Sequence, residues 1–207
     1  MSALDHFRDD LIQDIDDTLN LLRIINAISS IATLPTNLSS KHKETIVEWA
    51  FVNLHAEWEN FLENCFVTYM LGDRTDSGYA PVRYIFPKDE LHALGIILAG
   101  RDFFQWTKPI RVRDQSMLCF ENGEPFRSIL ESTIELNEMT IIRNAIVHKS
   151  ATAMDKFKTL VRDKLKTLPS AMTPGVFLVT TKPKTMHRTF LSSYCSKLRI
   201  IAGKLVP

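Results

Sequence analysis

Apolar residues three and four apart run through most of this chain, and that period constrains its fold more than any other feature. Leu4, Phe7, Leu11, Ile15, Leu19, Leu22, Ile25 and Ile28 keep it over residues 4 to about 32, with aspartates and arginines between them. An alternation of two would mark a strand, whereas this spacing lays one apolar stripe along a helix. The helix is predicted to stop ahead of Pro35. A second starts at Ser39 or Ser40 as N-cap and runs through ETIVEWAFVNLHAEWENFLENCFVTYML to Gly72. Trp49, Val52, Ala56, Phe61, Cys65 and Tyr69 predict that much of its circumference is buried.

Further along, a short helix is expected at Glu90 to Ala99, and a long one from about Phe126 to His148. The stripe of the latter is Ile129, Leu130, Ile134, Leu136, Ile141, Ile142, Ala145 and Ile146. After a break at Lys149 to Thr152, another helix spans Ala153 to Leu168 and closes at Pro169. PGVFLVTTKPKT is expected as a short strand or an extended linker, and a last helix from about Met186 to Leu205. Turn formers without helical period make 72–89 and 100–125 loop-rich insertions, and DFFQWTKPIRV is expected to be extended. The predicted class is all-α: one domain over residues 1–207, a bundle of four or five long helices with a long insertion loop.

Several function classes drop out. There is no GxxxxGK[ST] or GxGxxG loop to cradle a phosphate, and no HExxH, so neither a cofactor nor a metal is expected. No apolar run approaches the roughly 20 residues of a bilayer span, and the first twenty residues hold six aspartates in place of an export signal. A soluble cytoplasmic protein without membrane contact is the expectation, with Cys65, Cys119 and Cys195 as reduced, mostly buried thiols. Charge is unevenly spread. Residues 1–80 carry 13 acids and 5 bases, 81–155 carry 10 and 9, and 156–207 carry 1 and 11. A basic C-terminal quarter suits a phosphate-bearing partner, because each neutralised phosphate releases counterions. It equally suits a helix whose wet face, Lys156, Lys158, Lys164 and Lys166, pairs with the acidic N-terminal helix.

One stretch breaks the apolar pattern from inside. In TIIRNAIVHKS, Arg143 and Asn144 interrupt Ile141, Ile142, Ala145 and Ile146, and His148 closes the helix. Asn144 and His148, four apart, share a face. Arg143 lies about 140° from His148 on an ideal helix, so only its length, or a second subunit, can bring guanidinium and imidazole together. An arginine serving an ion pair and a histidine serving a helix end would explain the same residues without chemistry.

RNAIVH, at the end of an amphipathic helix in a small all-helical chain, resembles the R-x4-6-H signature of the HEPN superfamily. EWAFVNLHAEWENFLENCF is similar to the long second helix of its RiboL-PSP-HEPN group. The resemblance covers residues 1–205, with nothing aligned over Trp106 to Glu124. It implies a HEPN-like bundle and a metal-independent endoribonuclease working as a homodimer on RNA, in a bacterial toxin–antitoxin or antiphage defence system. An antitoxin or another defence-system protein is then a partner. It implies that Arg143, Asn144 and His148 are catalytic: His148 as general base or acid, Arg143 on the scissile phosphate, and Asn144 orienting the histidine or a phosphate oxygen. Lys149, Glu59 and Glu63 are its candidate substrate-binding residues, the two acids by positioning Arg143. The alternative within the resemblance is a catalytically silent domain that binds RNA or a protein partner.

Overall fold

Ser2 opens the first helix. Its hydroxyl accepts the backbone N–H of Asp5 at 3.1 Å, a donor that a helix start leaves without an intrahelical partner. α1 then runs Ala3–Ser30 and α2 runs Ser40–Leu71. α3 (Glu90–Leu98) begins on Asp89, whose side chain accepts the amide of His92 at 2.8 Å. α4 (Pro109–Cys119) has proline at its start, where no N–H is needed. α5 (Thr133–His148), α6 (Ala151–Leu165), α7 (Pro174–Val179) and α8 (Phe190–Leu205) complete the order. The computed structural model describes residues 1–30, 39–183 and 188–207. Among these the chain is all-α, and the extended pairing consists of two isolated bridges, Arg83 with Phe120 and Thr181 with Thr189.

Most expected boundaries lie within a few residues of the observed ones, but several elements differ. The 100–125 segment, expected to be loop-rich, contains α4. The helix expected from Phe126 opens as a 3-10 helix over Phe126–Ser132 before α5 begins. PGVFLV is neither strand nor linker but α7: Thr173 caps it by accepting the amide of Val176, and Pro174 fills its first position. Those start signals override the strand preference of Val176 and Val179. Trp49, Ala56 and Ile134 face solvent, although each sits in an apolar stripe. The expected stop of α1 ahead of Pro35, the side chain of Ile28 and the expected start of the last helix at Met186 lie outside the described residues.

Two units share these helices. The first comprises Met1–Gln13, Glu57–Asn137 and Lys197–Pro207, the second Asp14–Ala56 and Glu138–Ser196. The core of the first is aromatic. The Phe66 ring lies 4.6 Å from Phe126, 5.1 Å from Phe120 and 5.5 Å from Trp106, and the Tyr69 hydroxyl donates to the carbonyl of Leu205 at 2.7 Å. α2 ends at Gly72, whose φ of 101° only glycine adopts without strain, and Arg83 donates to the carbonyl of Met70 in its last turn at 2.8 Å. The second core stacks Phe177 on Phe190 at 4.2 Å and sets Phe157 edge-on to Phe177 at 5.8 Å. Cys65, Cys119 and Cys195 are buried and form no disulfide. Burial pushes the Cys65 thiol well up and also raises Cys119. No described helix is long and apolar enough to cross a membrane.

Candidate active site

α5 places Ile142 and Ala145 in the core of the second unit, and this fixes where its polar residues fall. Arg143 and Asn144 sit half-buried at the edge of that face, and His148 is exposed in the last turn. The helix ends there because Lys149 takes a left-handed conformation, φ 49°, and Ser150 starts α6 as its N-cap. His148 therefore projects from a helix end fixed by a two-residue turn.

The arginine does reach around. Its Nη1 donates to Asn144 Oδ1 at 3.2 Å and lies 3.3 Å from His148 Nε2. A guanidinium has donors only, so a hydrogen bond between the two needs Nε2 as its acceptor. The cluster thus sets a ring nitrogen against a permanent cation. Both partners of the guanidinium are side chains of its own helix and neither is a carboxylate, which sets the site apart from a structural ion pair. Among the described residues Nε and Nη2 meet no acceptor. Asn144, expected to orient the histidine or a phosphate, meets the guanidinium instead.

The other expected residues have other surroundings. Lys149 is exposed beside His148 in the tight turn. Glu59 and Glu63 belong to the first unit, where Glu63 accepts the indole N–H of Trp106 at 2.6 Å. On the basic helix α6, Lys158 pairs with Asp155 of its own helix at 3.9 Å and Lys164 with Glu138 of α5.

Glu138 is a residue that sequence reasoning passed over. Its buried carboxylate takes the Lys164 ammonium on one oxygen and the Tyr194 hydroxyl on the other at 2.9 Å, which fastens α5 to α6 and α8. Its signal was present, for it is a carboxylate between the buried Leu136, Met139 and Ile142. A cleft of about 560 Å³ lies beside it, lined by Ile141, Thr152, Asp155, Lys156 and Leu160 among others. Among the described residues no three His, Cys, Asp or Glu side chains form a group that could hold a metal ion. Compared with protein-family models, with curated proteins and with solved structures, the chain matches none.

Proposed function

We propose that this protein is a metal-independent endoribonuclease of the HEPN type. In this reading it acts as a homodimer in a bacterial toxin–antitoxin or antiphage defence system, with an antitoxin or another defence protein as partner. The observation that carries the reading is the 3.3 Å approach of Arg143 Nη1 to His148 Nε2 at an exposed helix end.

The chemistry follows from the donor set. His148 Nε2 takes the proton of a ribose 2′-hydroxyl as general base. The 2′-oxygen attacks phosphorus, and the bond to the 5′-oxygen breaks. The leaving oxygen takes a proton from the protonated His148 of a second copy, which a twofold axis through this helix end brings to the same cleft. Arg143 holds the charge that grows on the phosphate oxygens with its remaining donors, and Asn144 keeps the guanidinium in place. The products are a 2′,3′-cyclic phosphate and a 5′-hydroxyl. Base, acid and charge stabiliser are all side chains, so the scheme requires neither metal nor cofactor, and it cannot cut DNA.

The test is cleavage of end-labelled RNA in EDTA by the wild type, His148→Ala and Arg143→Ala. We expect cyclic-phosphate ends from the wild type, a loss of about 10²- to 10⁴-fold in His148→Ala and of about 10²- to 10³-fold in Arg143→Ala. Light scattering that shows monomer alone at assay concentration would remove the shared cleft. No cutting by any of the three, with RNA binding intact, replaces the enzyme by a binding module.

A further inference from the structure

A cleft of about 540 Å³ opens in the first unit where the chain leaves α3 and enters α4, lined by residues 100–105 and Arg111. Ala99 at φ 46° and Gly100 at φ 79° turn the chain sharply out of α3. Arg101 then folds back, donating to the carbonyls of Leu98 and Ile97 at 2.9 Å each. Its guanidinium also lies 5.5 Å from the Phe104 ring, which packs 4.5 Å from Trp106. Arg101 and Phe104 are thereby committed to building the cleft, with Trp106 behind Phe104.

The remaining lining residues are not. Phe103 is 66% exposed, and Arg111 is exposed without a carboxylate or ring partner among the described residues. Asp102 and Gln105 are exposed beside them. The volume falls within the roughly 300–1,000 Å³ of small-ligand clefts. A wholly apolar ligand would leave Arg111 and Asp102 unanswered, and a simple anion would meet Asp102 and leave the phenyl ring in water.

We propose that this cleft binds a nucleotide unit, a base with its phosphate, either free or within single-stranded RNA. The base stacks on Phe103, and Arg111 holds the phosphate. Asp102 accepts from an exocyclic amine, and Gln105, with one donor group and one acceptor, completes the base edge. Aromatic faces beside cations are how single strands are held without duplex geometry. The proposal does not rest on the nuclease reading, because Arg143 and His148 belong to the second unit and binding here needs no cleavage.

The experiment measures anisotropy of a fluorescent 2′-O-methyl oligoribonucleotide, which a 2′-hydroxyl mechanism cannot cut, with the full chain across a salt series. Unlabelled adenosine and uridine monophosphates compete in parallel. Phe103→Ala is expected to weaken binding by roughly 5- to 150-fold, the loss of one base stack. Arg111→Ala is expected to lower the salt slope by about 0.7, one phosphate on a single strand, and Arg111→Lys to restore it. Competition by the monophosphates makes the free nucleotide a ligand, and its failure restricts the site to the strand. Unchanged affinity and salt slope in both alanine variants, with unchanged circular dichroism, overturns the proposal. So does equal competition by a phosphotyrosine peptide, which carries a ring and a phosphate but no base edge.

Discussion

Asp5 is a buried carboxylate with donors on every side. The Ser2 hydroxyl reaches it at 2.6 Å, the Asp76 amide at 2.7 Å and Arg8 at 3.0 Å. Burial by itself would raise its titration, but these partners outweigh burial and hold the carboxyl below the ordinary aspartate value. The native state then binds fewer protons than the unfolded one. The stability Asp5 confers is therefore complete above the unfolded value of about 4, and it is lost as pH falls through the lower folded value. Asp5→Asn should cost about 1–3 kcal/mol at neutral pH, with the gap to wild type closing in melts taken toward pH 2. A gap that ignores pH would refute the assignment. In the sequence Asp5 was one of six aspartates in twenty residues, because the Asp76 amide that binds it lies 71 positions away and local period cannot encode that. Arg143, Asn144 and His148 were legible for the opposite reason, as polar residues inside a local apolar stripe. Phe103 and Arg111 fell in a segment with no period to interrupt.

α7 shows how short elements escape periodicity. Six residues cannot display a helical stripe, and VFLV alone reads as strand. What makes it a helix is its first turn and its seat: Thr173 donates to Glu44 at 3.0 Å and the Gly175 amide donates to Glu48 at 3.0 Å, both on α2. The seat is tight. A Cβ on Gly175 would lie 2.8 Å from the Glu44 carbonyl oxygen and 3.0 Å from its Cα, and backbone within α2 cannot yield. Gly175→Ala is expected to lower stability by about 1–3 kcal/mol despite its better helix propensity, as a fall in the denaturant midpoint at unchanged slope. An equal or raised midpoint would show that the two helices separate without cost. The long helices were legible because their stripes run for several turns. Trp49 and Ile134 were misplaced because a wide stripe does not say which of its edges meets the core.

At the scale of the molecule, the class was legible from composition and period, whereas the division into units was not. Both units are discontinuous in the chain, and sequence order hides this. The first unit draws Leu198, Ile201, Leu205 and Val206 from the end of the chain, each at most 1% exposed. At about 1.5–3 kcal/mol per buried side chain, their removal forfeits roughly 6–12 kcal/mol, against roughly 5–15 kcal/mol for a whole native state. A chain cut after Ser196 should lack a cooperative thermal transition by circular dichroism. A melt within a few degrees of the full chain would contradict that. The same discontinuity governs the timing of biosynthesis. At about 5–20 residues per second, the ribosome needs roughly 10–40 s to pass from Gln13 to Lys197. Until the chain's last residues follow, Arg8 and, once made, Tyr69 lack the carbonyls of Val206 and Leu205 that they bind in the finished protein. Every residue of the second unit is translated before the last segment of the first, so the unit that holds Met1 is the later of the two to mature.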